Sequence, residues 1–205
     1  TSFDDAWGVG YVLGAAYEIP DIAGRVSLTY NSKITHDFDT VESLGGAPLG
    51  SSETTVDTPE SVTLEAQSGI AADTLLFGSI RWVNWSEFRV NPQVFTSQVP
   101  AGLVTLEDTT TYTIGVGRKF TESWAGSASF VYESEGDDLV SPLAPYTGRK
   151  GITLAAIYTM DQIRITTGVN YSRVGDANPQ TGDTARAQTE DSDVWGVGVR
   201  IGYSF

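Results

Sequence analysis

The sequence lacks cysteine, and its 205 residues include one histidine and one methionine. Without cysteine there is no disulfide and no thiolate nucleophile, and the same scarcity disfavours a zinc site. Hydrolysis through a Ser–His pair would have to use His36, the single histidine. We therefore expect a protein that is not an enzyme and that holds no metal and no cofactor.

Basic residues are also scarce: 12 Lys and Arg stand against 26 Asp and Glu, for a formal net charge of −14. Nucleic acid is bound by basic stripes that meet phosphates, so we expect no nucleic acid partner. The carboxylates concentrate in polar connecting segments, for example Asp176 and Asp183. They lack an EF-hand pattern, which favours a solvated acidic rim over a calcium site.

Long apolar runs are absent. No stretch of about 18 apolar residues occurs, so no transmembrane helix is predicted. A mean hydropathy of −0.12 still allows membrane strands that alternate lipid-facing and lumen-facing residues. The segment 1–4 has neither the basic nor the apolar region of a signal peptide. For an envelope protein, we would expect this start to be processed or truncated.

Alternation of apolar and polar residues at period two is the main positive signal. It is clearest at the end of the chain, where Val197, Val199 and Ile201 alternate with Gly198 and Arg200. Nine segments show the pattern: about 7–18, 25–31, 62–70, 76–83, 112–117, 124–133, 152–158, 163–171 and 195–205. Most approach the length needed to cross a bilayer at a tilt. The pattern predicts an all-β, antiparallel transmembrane β-barrel of the bacterial outer membrane.

Aromatic residues mark both ends of several segments, as Trp124 and Tyr132 do in one and Trp195 and Tyr203 in another. Such pairs are typical of the two aromatic girdles of a membrane barrel. The alternative is a secreted β-sandwich with one wet face. Sandwich strands are usually shorter, at about 5–6 residues, and would not carry aromatics at both ends.

Short and long connections alternate along the chain. The long ones span about 37–58, 89–108, 134–148 and 174–192. Outer-membrane barrels have short periplasmic turns and long outer loops, so the first and ninth strands both run towards the periplasm. Because these barrels normally have an even number of strands, we expect the native protein to be longer. Residues 1–205 would then form one incomplete barrel domain.

Several motifs in the same order resemble a known family. They are Ala6-Trp7-Gly8-Val9-Gly10, the stretch 30–34 (YNSKI), the stretch 58–64 (TPESVTL), the stretch 81–88 (RWVNWSEF) and the ending 197–205. Together they are similar to the long-chain fatty acid transporters of the outer membrane, of the FadL/TodX type. The resemblance implies a fourteen-stranded barrel of which these would be the last nine strands. The family's N-terminal hatch would lie upstream.

The resemblance also implies passive uptake of a hydrophobic ligand, which lands in an apolar groove made by outer loops. The loop 37–58 would contribute Leu44 and Leu49, and the next loop Val94, Phe95 and Leu103. Exposed apolar clusters tend to mark binding surfaces. The alternative is that each loop packs a small core of its own.

Cations of lumen-facing parity could hold the carboxylate of a fatty acid in a low-dielectric lumen. The candidates are Arg81, Arg200, Lys119 and Arg164, with Arg81 and Arg200 preferred. The alternative is that they pair with Glu65 or Glu133 and satisfy buried charge only.

The last residue, Phe205, ends the period-two series and resembles the terminal signal read by the barrel-insertion machinery. Further expected partners are outer-membrane lipid and lipopolysaccharide, to which divalent ions could bridge the acidic rim. The function favoured is uptake of long-chain fatty acids or aromatic hydrocarbons. A structural or adhesion barrel, which binds surface partners or lipopolysaccharide through acidic loops, is the alternative, and a general diffusion porin comes third.

Overall fold

The dominant element of the fold is an antiparallel sheet of nine strands. The structure, a computed structural model, describes residues 1–100, 102, 104, 106–144 and 146–204. The strands are β1 (Ser2–Phe3), β2 (Val12–Ile19), β3 (Gly24–Asn31), β4 (Ile34–Leu44), β5 (Ala47–Thr58), β6 (Ser61–Ala71), β7 (Thr74–Val83), β8 (Thr109–Lys119), β9 (Trp124–Glu133), β10 (Leu139–Val140), β11 (Thr147–Met160), β12 (Ile163–Gly175), β13 (Asn178–Pro179) and β14 (Asp193–Tyr203). The large sheet runs in the order β14-β12-β11-β9-β8-β7-β6-β3-β2. All nine predicted membrane strands are therefore present, and each pairs with its neighbour along the predicted series.

The register gives this sheet one apolar face and one face of small and polar residues. On the apolar face Leu28 lies opposite Leu64, and Leu64 lies opposite Ile80. Many residues of this face are exposed, as Leu64 is at 41%. On the other face Thr63 lies opposite Arg81. We call the apolar face the outer face and the other the inner face, because an exposed apolar face suits contact with lipid.

Aromatic side chains cluster near both ends of the strands. At the end joined by long connections, here the loop end, the rings of Tyr171 and Trp195 lie 4.7 Å apart. At the opposite end, the turn end, Trp124 and Tyr158 lie 4.8 Å apart. Cross-strand pairing thus brings aromatic residues that are distant in the sequence together, and they form two aromatic belts.

The prediction that residues 37–58 form a loop is wrong, because this segment belongs to the β-hairpin of β4 and β5. Its tight turn is at Gly45–Gly46, where both residues have positive φ angles of 59° and 84°. Asn31 pairs with Ser61 at the loop end of β3 and β6, and Ile34 pairs with Thr58 in the same register. The hairpin therefore continues the ribbon of β3 and β6 beyond the loop end of the sheet.

The first membrane strand also differs from its predicted start at residue 7, since β2 begins at Val12. Trp7 precedes it and is 96% exposed. Residues 5–10 lie close to β4, because a Cβ atom added to Gly8 would lie 2.6 Å from the carbonyl oxygen of Thr35. Glycine is thus needed at position 8 for this backbone approach, which takes place before the first membrane strand begins.

Helical structure among the described residues is limited to α1 (Gln93–Gln98) and two 3₁₀ turns at Pro20–Ile22 and Trp85–Glu87. In that part of the chain no helix is long and apolar enough to cross a bilayer. Beyond the loop end, β1 pairs with β4, and β10 pairs in parallel with β13.

Candidate functional site

The two predicted ligand-binding loops meet at the buried carboxylate of Glu42 on β4, which is 3% exposed. Its two oxygens accept hydrogen bonds from the backbone N–H groups of Val94 (2.8 Å) and Phe95 (2.7 Å). These are donors of the first turn of α1, which have no partner within a helix, and Pro92 before them offers no side-chain cap. Glu42 thus fastens α1 to the hairpin, a contact between distant residues that no sequence motif indicates.

Further buried contacts accompany this connection. Thr40 and Thr54 are diagonal neighbours across the hairpin, where the Thr40 hydroxyl donates to that of Thr54 at 2.8 Å, and both are almost fully buried. A Cβ atom added to Gly50 would lie 3.5 Å from Cγ2 of Val94. The hairpin and the 84–108 connection therefore pack on each other. This arrangement differs from the alternative in which each loop packs a small core of its own.

The predicted groove residues fall at two positions in this assembly. Leu44 and Leu49 lie at or beside the tip of the hairpin and are 74% and 53% exposed. Val94 and Phe95 belong to α1 and are half-buried. Leu103 lies outside the described residues. The ligand-binding role of the set stays a prediction.

The four predicted lumen cations are all on the inner face: Arg81, Lys119, Arg164 and Arg200. Arg81 is near the loop end of β7, whereas Lys119 is the last residue of β8 at the turn end. Arg164 and Arg200 are diagonal neighbours, because Arg164 pairs with Gly202 on β14. Within the described residues none of the four forms an ion pair. Their contact with a ligand stays a prediction.

Glu133, one proposed partner of these cations, has other contacts. It accepts a hydrogen bond from Thr111 at 2.5 Å and lies 4.0 Å from Nε of Arg149. The second proposed partner, Glu65, accepts a 3.3 Å hydrogen bond from Ser27. Both inner-face carboxylates thus have neighbours other than the four candidate cations.

A depression of about 460 Å³ on the inner face was not predicted. It is lined by residues of β3, β6, β7 and β8: Arg25, Ser27, Glu65, Ala66, Gln67, Leu75, Phe77, Gly78, Ser79 and Thr113. Leu75 and Phe77 supply its apolar part. Phe77 lies over Gly115 of β8, where an added Cβ atom would overlap the ring, at 2.7 Å from Cε2 and closer still to Cζ. The sequence signal was present, since Phe77 interrupts the alternation of its strand.

Charged groups just beyond the loop end form a small network. Lys33 contacts Asp57 at 3.1 Å and Glu87 at 3.9 Å, which joins the hairpin to the 84–108 connection. The hydrogen bond and charge of Asp57 raise the pKa of Lys33 above its usual value. The pKa of Asp57 is lowered, first by the hydrogen bond from Thr35 and then by Lys33. Among the described residues no group of three or more His, Asp or Glu is arranged to hold a metal ion.

Comparison with known proteins identifies the family. The family described as Outer membrane protein transport protein (OMPP1/FadL/TodX) matches residues 3–205. The chain belongs to this family. The resemblance found in the motifs is thereby confirmed, together with the outer-membrane location. No curated protein sequence matches the chain.

Solved structures of the same family share the fold. A FadL homologue of Pseudomonas aeruginosa is 16% identical with a TM-score of 0.67, over 94% of this chain and 49% of that one. A mutant of the monoaromatic hydrocarbon channel TodX, lacking S2S3, is 19% identical with a TM-score of 0.62, over 98% and 50%. The toluene transporter TodX of Pseudomonas putida is 17% identical with a TM-score of 0.52, over 81% and 44%.

Family membership confirms the outer-membrane β-barrel fold class, and the family consists of transport channels and not of enzymes. The chain spans about half the length of the solved structures that it matches. The total of fourteen strands and the single-domain boundary at 1–205 stay predictions. Phe205, with its proposed role in barrel insertion, lies outside the described residues.

Proposed function

We propose that the protein takes up hydrophobic molecules passively across the outer membrane, with long-chain fatty acids or aromatic hydrocarbons as ligands. The observation that carries this proposal is the inner-face depression. A wall of Gly, Ser and Thr would suit water-filled diffusion, but here Leu75 and Phe77 add an apolar patch to it. Ligand pockets combine such apolar surface with a few polar groups, here Ser27 and Glu65.

The assembly beyond the loop end supports capture of the ligand before it reaches the lumen. Leu44 and Leu49 are exposed on a hairpin whose position is fixed by pairing of β4 with β5 and by Glu42. A preformed apolar surface binds a ligand at lower entropic cost than a mobile loop does. We infer that the hairpin tip and the face of α1 that carries Val94 and Phe95 receive the ligand.

Uptake by cells tests the proposal. The full-length protein is expressed in a strain without other transporters of this family, and uptake of labelled palmitate and labelled toluene is measured. Phe77→Ala removes apolar surface from the inner face, whereas Phe130→Ala removes the same side chain from the outer face. We expect Phe77→Ala to lower uptake of at least one ligand several-fold and Phe130→Ala to leave both unchanged. Equal uptake by the two variants, at equal levels of folded protein, would contradict an inner-face route.

A further inference from the structure

A second cavity, of about 390 Å³, lies at the loop end of β9, β11 and β12. Its lining combines three cations with three carboxylates: Arg149, Lys150, Arg173, Glu135, Asp138 and Asp176. The cavity is separate from the inner-face depression, with which it shares no residue. Such a mixture of charges does not resemble a path for a hydrophobic ligand.

An irregularity in β11 lies next to the cations of the cavity. The register with β12 shifts between Thr147 and Arg149, and Gly148 between them has a φ of 60°. Immediately after this bulge, neighbouring residues resume alternation. Arg149 therefore belongs to the inner face, whereas Lys150 belongs to the outer face, where it lies opposite Arg173.

The outer-face cations border the apolar surface that faces lipid. Lys150 lies opposite Tyr132 with its ammonium group 6.0 Å from the ring centre. The next cross-strand row towards the membrane contains four exposed apolar or aromatic residues: Phe130, Ile152, Tyr171 and Trp195. Long connections face outwards in this fold class, so the row marks the outer leaflet and the cations lie at the depth of its headgroups.

The charges of the cavity leave room for an anionic ligand. Two like charges directly opposite on neighbouring strands destabilise a sheet. Here Lys150 is offset by Glu135 at 3.5 Å, and Arg173 by Asp191. All four side chains are at least 59% exposed, so these pairs are screened by water and exchange readily. Nε of Arg149, on the inner face, is buried without a hydrogen-bond partner in the described part of the chain and lies 4.0 Å from Glu133.

We propose that this cavity binds the phosphorylated sugar headgroup of lipopolysaccharide in the outer leaflet. Lys150 and Arg173 would contact phosphate, because cations on strands form strong charge-assisted hydrogen bonds with phosphate oxygens. Sugar hydroxyls would donate to the carboxylates, which would repel a bare phosphate. The acyl chains would lie on the row that contains Ile152 and Tyr171. This site is independent of the proposed transport function.

Binding of purified lipopolysaccharide to the full-length protein in mild detergent tests the site. The double variant K150Q/R173Q removes the two outward cations. The control R118Q/R186Q removes two charges from the turn end of the outer face and from an exposed loop. We expect roughly tenfold weaker binding in the first variant and parent-like binding in the control. A heat-dependent shift in gel mobility confirms that each variant is folded.

Three results would overturn the proposal. The first is equal affinity of K150Q/R173Q and the parent for lipopolysaccharide. The second is unchanged binding after enzymatic removal of the lipid's phosphates. The third is equally tight binding of inorganic phosphate or of phosphatidylglycerol nanodiscs, which would show charge attraction without recognition of the sugar. Two results together would support the proposal. Inorganic phosphate and phosphatidylglycerol nanodiscs bind more weakly than lipopolysaccharide, and lipopolysaccharide binding is weakened in K150Q/R173Q but not in R118Q/R186Q.

Discussion

Replacing Glu42 by alanine should release α1 from the hairpin while leaving the membrane sheet intact. The carboxylate is buried and accepts two short backbone hydrogen bonds, from Val94 and Phe95. A hydrogen bond to a charged group contributes about 1.5–3 kcal/mol. Even if water takes over one donor, about 2 kcal/mol of local stability is lost. That loss corresponds to roughly 30-fold more frequent local opening.

Amide hydrogen exchange measures this opening directly. The amides of Val94 and Phe95 should exchange at least about 30-fold faster in Glu42→Ala, because local opening controls their protection. Amides in β8, such as that of Ile114, should keep the parent rate. Glu42→Gln should accelerate exchange less than Glu42→Ala, because the amide keeps one acceptor oxygen while its NH2 group cannot accept from the other N–H group.

Glu53→Ala provides the matched control. Glu53 belongs to the same hairpin, is exposed and lies opposite Asp39, so its loss should not affect α1. Unchanged exchange at Val94 and Phe95 in Glu42→Ala would refute the reasoning. It would mean that apolar packing alone holds α1 on the hairpin.

Three further predictions concern the inner face and the charged network. Arg200→Ala should weaken binding of fatty acids but not of uncharged hydrocarbons in ligand titrations, and equal loss for both classes would exclude a carboxylate contact. Gly115→Ala should lower thermal stability by about 1–3 kcal/mol, because the added methyl overlaps the Phe77 ring, whereas Gly198→Ala, with open space around it, should not. The contribution of the Lys33–Asp57 contact should be constant near neutral pH. It should be lost as pH falls through the lowered pKa of Asp57 or rises through the raised pKa of Lys33. Lys33→Ala should remove this dependence from hairpin exchange rates.

The nine membrane strands could be predicted because only one face of each strand is expected to contact lipid. Period-two alternation then records the environment directly, as Val197, Val199 and Ile201 show. The hairpin of β4 and β5 is harder to find in this way, because its buried face includes the polar residues Thr40, Glu42 and Thr54. Its Gly45–Gly46 turn was the available signal, since two glycines between strand-like runs indicate a tight hairpin.

The candidate site was predictable by face but not by contact. Parity placed Arg81 and Arg200 correctly on the inner face. It could not show that Glu42, one carboxylate in an acidic segment, is buried under a helix 52 residues away along the chain. Phe77 was visible as an interruption of alternation, but only the register with β8 shows that Gly115 makes space for its ring.

Adjacent cations on a single strand lie on opposite faces of the sheet. Arg118 and Lys119 are neighbours in β8, yet Arg118 shares the outer face with Val116 and Lys119 belongs to the inner face. The same division separates Arg149 from Lys150 in β11. Parity fixes the face of each charge and register fixes its depth. Under the two proposals, one strand would contribute one residue to the lipid site and the next residue to the transport path.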